Sequence, residues 1–246
     1  NRSVLTCYRF KHSNLSQGGY LMSTGTISLQ AADGHEFAAY ESIPEGEIKG
    51  RLVVIQEIFG VNEHIRDVCD QFALRGYHAV APAMFDRVER NFEKGYNQDG
   101  MSSGVAIMNE ISWEAALADV QAAADHLKAN GPVGIVGYCW GGSVAWLAAC
   151  RLPDISASVG YYGGKIIQYV DEMPQCPTML HFGEKDTGIP LTDVLQIAGK
   201  HAAVQVFTYP DAEHGFSCDA RASFNKISAD QALARTLPHF EEHLAG

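Results

Sequence analysis

The sequence contains no C-x-x-C pair. Its six cysteines, Cys7, Cys69, Cys139, Cys150, Cys176 and Cys218, are scattered along 246 residues. That spacing argues against a structural zinc site or a redox dithiol, and neither a metal nor a cofactor is implied. Cys69 and Cys150 fall within apolar helical patterns and read as buried small hydrophobes. A reducing cytoplasm is the simplest setting. No stretch approaches 18 consecutive apolar residues, so no membrane span is expected. Basic residues are few, with 18 Lys and Arg against 29 Asp and Glu and a formal net charge of -11. The chain therefore lacks the basic footprint of a nucleic-acid binder, and an anionic ligand would need local arginines. No G-x-G-x-x-G or Walker pattern follows the first parallel strand, so a flavin- or nucleotide-binding role has no support. Internal repeats, low-complexity tracts and domain linkers are also absent.

Residues 1–21 are polar and patternless, without the apolar stretch of a signal peptide. Met22 reads as the natural start, preceded by a disordered or non-native leader, with residues 22–246 forming one domain. A hydrophobic content of 46% is enough for a large core in a domain of this size.

Strand and helix patterns alternate through most of this region. Thr24–Gln30 and Glu36–Ser42 alternate in and out around the turn signal Asp33-Gly34, predicting a hairpin. Arg51–Gln56 holds a continuous β-branched run, as a buried parallel strand does. Asn62 is a candidate N-cap for a helix through Leu74, closed by Gly76. Tyr77–Ala81 reads as a strand stopped by Pro82, Phe85–Gly100 as a loop, and 102–129 as one long helix ended by Asn130-Gly131. Ser156–Tyr161, Thr178–Phe182 and Val204–Tyr209 read as strands. Leu191–His201 reads as a helix, and Arg221–Leu244 as a last helix disturbed by Pro238. The expected architecture is α/β, a mainly parallel sheet with helices on both faces.

The most informative segment is Gly137-Tyr138-Cys139-Trp140-Gly141-Gly142. It follows the apolar run Val133-Gly134-Ile135-Val136 and precedes the helical pattern Ser143–Cys150. Strand, sharp turn and helix in that order read as the nucleophile elbow G-x-S-x-G with cysteine in place of serine. The glycines let strand and helix approach, and the first N–H groups of the helix point at the site, where an oxyanion would develop. A cysteine nucleophile needs a base, and the base an orienting acid. Asp186 and His214 lie after two later strands, in the chain order nucleophile, acid, base. Glu184 is a competing acid. His181, His201 and His239 lie inside elements and read as structural or surface groups.

These residues resemble the dienelactone hydrolase (carboxymethylenebutenolidase) family of α/β-hydrolases. The matching stretches are Gln56-Glu57-Ile58-Phe59-Gly60, Ala81-Pro82 with Arg87, the cysteine elbow, Gly160-Tyr161-Tyr162-Gly163, Gly183-Glu184-Lys185-Asp186 and His214-Gly215-Phe216. With the flanking pattern, the resemblance covers residues 24–244. It implies that Glu57 holds the resting thiol of Cys139 away from His214 and takes its proton when substrate arrives. It also implies that the backbone N–H groups of Ile58 and Trp140 form the oxyanion hole. Two arginines in the family clamp the substrate carboxylate. One matches Arg87; the position of the other is Cys218 here, with Arg221 nearby as a substitute. Tyr161 is a candidate for an aromatic substrate wall. The expected partner is a small ester or lactone, with nucleic acid and membrane unsupported. A general carboxylesterase or thioesterase and a non-catalytic scaffold are the alternatives.

Overall fold

The computed structural model describes residues 22–245, and the expected leader falls outside them. Eight strands follow in chain order: β1 (Met22–Gln30), β2 (Glu36–Pro44), β3 (Gly50–Ile55), β4 (Tyr77–Pro82), β5 (Val133–Tyr138), β6 (Ile155–Tyr161), β7 (Thr178–Gly183) and β8 (Gln205–Tyr209). They form one sheet in the order β1-β2-β4-β3-β5-β6-β7-β8. The hairpin of β1 and β2 is antiparallel, and β2 joins β4 antiparallel. From β4 to β8 every pairing is parallel. Buried parallel strands carry apolar side chains on both faces; Leu52, Val53, Val54 and Ile55 of β3 are fully buried.

The helices are α1 (Glu63–Ala73), α2 (Gln98–Met108), α3 (Trp113–Lys128), α4 (Trp140–Arg151), α5 (Leu191–Lys200) and α6 (Lys226–Leu244). Residues of opposite parity on β5 show how they divide. A Cβ at Gly134 would lie 2.8 Å from Leu244 of α6, whereas a Cβ at Gly137 would collide with the Gly141 carbonyl of α4. Since strand side chains alternate, α6 and α4 cover opposite faces. α1 packs beside α6 through Phe72 and Phe240, with centroids 6.3 Å apart. α3 packs beside α4 through Trp113 and Trp140, also 6.3 Å apart.

Two helix boundaries differ from expectation. The single helix read over 102–129 is two. α2 begins earlier, where Asn97 Oδ1 accepts from the Gly100 N–H at 2.9 Å. The chain then turns, and Ser112 Oγ accepts from the Ala115 N–H at 3.2 Å to start α3. Side chains of this type compete with helical bonding in a helix interior and satisfy free N–H groups at its start. The last helix starts at Lys226, not Arg221, because Asn225 caps it through the Ser228 N–H at 3.0 Å. Arg221 is left in the preceding loop, and α6 runs on through Pro238.

β3 and β5 are neighbours in the sheet, and the connection after β3 runs to β4 on one side while that after β5 runs to β6 on the other. The crevice at the carboxyl ends of strands beside such a switch point is where α/β sheets bind ligands. Glu57 follows β3 and Cys139 follows β5, at that crevice.

Candidate active site

Cys139 connects β5 to α4 with φ 56° and ψ -117°, a conformation that L-residues adopt only under constraint. The absent Cβ at Gly137 lets the strand lie directly against the first turn of the helix. The Cys139 N–H donates to the Tyr161 carbonyl at 3.0 Å, anchoring the elbow to β6.

Three side chains form a continuous chain from this turn. Cys139 Sγ lies 3.1 Å from His214 Nε2, and His214 Nδ1 lies 2.7 Å from Asp186 Oδ2. Asp186 Oδ1 accepts from the Gly188 N–H at 2.8 Å, and Ser223 Oγ donates to the His214 carbonyl at 2.7 Å. Both ends of the imidazole's support are therefore fixed. Burial disfavours charge on His214, but the Cys139 sulfur and the Asp186 carboxylate outweigh it, and its pKa is pushed up to about 10. The site thus favours an imidazolium beside the sulfur.

Trp140 opens α4, so its N–H has no intrahelical acceptor. Its indole is buried against Phe85 and Trp113. Ile58 lies in the turn after β3. A Cβ on Gly104 would collide with the Ile58 carbonyl, so α2 rests directly on this turn and braces it.

The structure does not place Glu57 on the thiol. Glu57 Oε1 accepts from Arg221 Nη1 at 3.0 Å, while the sulfur sits on His214. The reason is that Arg221 offers a permanent charge inside the protein. Its guanidinium lies over Phe59 and Tyr96, 5.8 and 5.7 Å from their ring centres. Burial alone would lower the Arg221 pKa, but the Glu57 charge raises it. Glu57 Oε2 is buried with no hydrogen-bond partner among the described residues.

The other expected substrate contacts are not brought to the sulfur. Arg87 binds Asp119 with two bonds, Nε–Oδ2 at 2.8 Å and Nη2–Oδ1 at 2.7 Å, and reaches Asp33 through Nη1 at 2.8 Å. The Asp119 side chain is fully buried, and a buried carboxylate requires such a partner. Tyr161 is also turned away: its hydroxyl bonds Thr236 Oγ1 at 2.7 Å, and its ring lines a separate hollow of about 210 Å³ between α1 and α6.

The cavity that contains the Cys139 sulfur has a volume of about 190 Å³, and Met108, Trp140, Lys165, Ile189 and His214 line it. Among the described residues, Lys165 is the one lysine or arginine on its wall. Its N–H donates to Ser143 Oγ at 3.0 Å, which fixes where the side chain leaves the backbone. The sequence carries no signal for this residue beyond its place after Gly163-Gly164.

The remaining described cysteines differ from Cys139. Cys69, Cys150 and Cys218 are buried. Burial pushes the thiols of Cys150 and Cys218 up to about 12, that of Cys176 to about 11, and that of Cys69 well above its ordinary value. Thiolates, not thiols, are alkylated. Iodoacetamide at pH 6.5 is therefore expected to label Cys139 before the other four, as peptide mass mapping would show. Equal labelling of Cys176 would refute the paired state of Cys139.

The dienelactone hydrolase family profile matches residues 37–244. The chain belongs to the dienelactone hydrolase family. A Synechocystis protein that bears the name carboxymethylenebutenolidase provisionally is 38% identical over 213 residues, covering 78% of this chain and 86% of that protein. The carboxymethylenebutenolidase of Pseudomonas putida is 30% identical over 235 residues, covering 88% and 95%. A Klebsiella pneumoniae crystal structure, provisionally named a dienelactone hydrolase, superposes with a TM-score of 0.75 at 28% identity, covering 87% of this chain and 98% of that one. The chain is thus a hydrolase of the dienelactone hydrolase kind with an α/β-hydrolase fold.

Proposed function

We propose that this enzyme hydrolyses ester or lactone bonds through an acyl-thioester on Cys139. The observation that carries the reading is the unbroken chain from Cys139 Sγ through His214 to Asp186. The thiolate attacks the substrate carbonyl, and the N–H groups of Trp140 and Ile58 receive the oxyanion; one such donor contributes about 3 kcal/mol in the transition state. Collapse breaks the ester C–O bond, and the His214 imidazolium gives its proton to the leaving oxygen. The neutral imidazole then takes a proton from water, the hydroxide adds to the thioester carbonyl, and the thiolate leaves beside a renewed imidazolium. Enol-lactones suit this site because a stable enolate needs little protonation to depart.

Lys165 is the group on the cavity wall suited to a substrate carboxylate, since Arg87 and Arg221 are already occupied by protein carboxylates. Hydrolysis of dienelactone and of p-nitrophenyl acetate by wild type, Cys139→Ala and Lys165→Met tests both points. Cys139-dependent turnover of dienelactone is expected. Lys165→Met should raise KM for the anionic lactone by up to about fivefold, the scale of one exposed charge contact, and leave the neutral ester unchanged. Hydrolysis that survives Cys139→Ala would sink the covalent mechanism. Turnover of the neutral ester alone would move the enzyme to general carboxylesterases, and an equal Lys165 effect on both substrates would remove its role as charge reader. No hydrolysis of either would favour a scaffold that binds without catalysing.

A further inference from the structure

Outside the catalytic crevice, Glu41 of β2, His78 of β4 and His126 of α3 converge on one point. His78 Nε2 lies 2.9 Å and His126 Nε2 2.7 Å from the same carboxylate oxygen, Glu41 Oε1. All three atoms fall within 4.8 Å of one another, the one such triple among the described residues. The geometry points to a zinc-class divalent-cation site made by Glu41, His78 and His126, with water as the fourth ligand.

The donor set is suited to this. Two imidazole nitrogens, one carboxylate oxygen and an open position form a common tetrahedral zinc arrangement. With bonds of about 2.0–2.1 Å, tetrahedral donors stand roughly 3.3 Å apart, so the two imidazoles must retreat by about half an ångström. Each must also present an unprotonated Nε2, which the tautomer with hydrogen on Nδ1 supplies. Exposure is graded across the cluster. The Glu41 side chain is 7% exposed, His78 13% and His126 32%, so the anionic ligand sits innermost and the solvent side is left to the ion's water.

The frame is rigid. The Glu41 and His78 positions are set by the antiparallel register of β2 with β4, which pairs Glu41 with Val80. His126 is held by the last turn of α3. The neighbouring cation, Arg51, pairs with His78 in the β3–β4 register but sends its guanidinium toward Gly131. His78 is the second residue of β4, at the end of the sheet opposite Cys139. A cation there would be structural, tying the antiparallel edge to the parallel sheet and to α3. The separations of 37 and 85 residues to Glu41 give no sequence motif.

The test uses chelator-treated Cys139→Ala protein, which removes the thiolate as a competing ligand. Zn²⁺ titrated by calorimetry should bind one-to-one, and Co²⁺ should give the intense visible bands of tetrahedral coordination. At about 100 times the dissociation constant, Zn²⁺ should raise Tm by about 5 °C or more. His126→Gln should abolish all three responses while its version with Cys139 intact keeps wild-type hydrolysis, which shows that the fold is preserved. Glu41→Gln is the second variant, should the first fail to fold. Absence of saturable binding, or binding that survives these substitutions, would overturn the site. Neither outcome touches the proposal for Cys139, since the cluster lies outside its cavity.

Discussion

Cys139→Ala is expected to lower kcat/KM for ester hydrolysis by about 10⁴-fold or more, the scale on which triad nucleophiles matter. Stability should change little, because Ala keeps the small β-carbon and removes a sulfur that is only partly buried. The same substitution has a second consequence that a structural role would not produce. Of the influences that raise the His214 pKa, the charge of the Cys139 sulfur is the largest, ahead of the hydrogen bond to Asp186. Removing the sulfur leaves burial, which lowers the pKa, opposed by Asp186 alone. In wild type the His214 ring should hold its proton until about pH 10; in Cys139→Ala it should release it at a clearly lower pH. NMR titration of the ring carbons reads both. An unchanged titration in the variant would mean that sulfur and imidazole do not form an ion pair, and that the nucleophile must be activated differently.

A second histidine supplies an internal contrast. His181 is fully buried between Tyr209 and Thr236, at 2.9 and 3.1 Å. Burial, together with Arg235 and His239, pushes its pKa down to about 3. Its folded value lies below the ordinary 6.5, so the unfolded chain takes up the proton first as pH falls. Stability should therefore decline below about pH 6.5, by at most about 1.4 kcal/mol per unit, until the folded state also protonates near pH 3. Denaturant unfolding midpoints between pH 4 and 7 would show it. A flat profile would contradict it.

The parts of the site that could be read from sequence are those that depend on local chain geometry. Cys139 stands out because glycines on both sides have no purpose except a tight strand-to-helix turn. Asp186 and His214 are legible because each follows a segment with strand patterning, apolar in Thr178–Phe182 and alternating in Val204–Tyr209. What could not be read depends on partners far along the chain. Arg87 has the right neighbours for a substrate clamp, but Asp33 and Asp119, 54 and 32 residues away, take its donors. Tyr161 lies in a stretch that matches the family, yet the alternation of β6 and the hydroxyl of Thr236, 75 residues away, turn it into the core. Lys165 reaches the cavity wall only because the loop after β6 packs on α4. Helical periodicity carries across residues 109–112 because the apolar Ile111 maintains the pattern. The cap at Ser112 is a weaker signal than the run around it.

Arg221→Met is expected to destabilise the protein by about 3–5 kcal/mol near neutral pH, the cost of stranding one partner of a buried ion pair. Glu57 is 1% exposed, and one of its oxygens has no partner among the described residues; without Arg221 the other loses its charged donor. Methionine fills much of the same volume over Phe59 and Tyr96, so the loss should come from charge and not from an empty space. One comparison separates these causes. The double variant Glu57→Gln/Arg221→Met should recover much of the stability, because a neutral amide costs less to bury than a lone carboxylate. Chemical denaturation of wild type, both single variants and the double variant measures this. A deficit that the double variant does not relieve would show that Arg221 acts by packing. In that case the ion pair would not be what holds Glu57 away from the sulfur of Cys139.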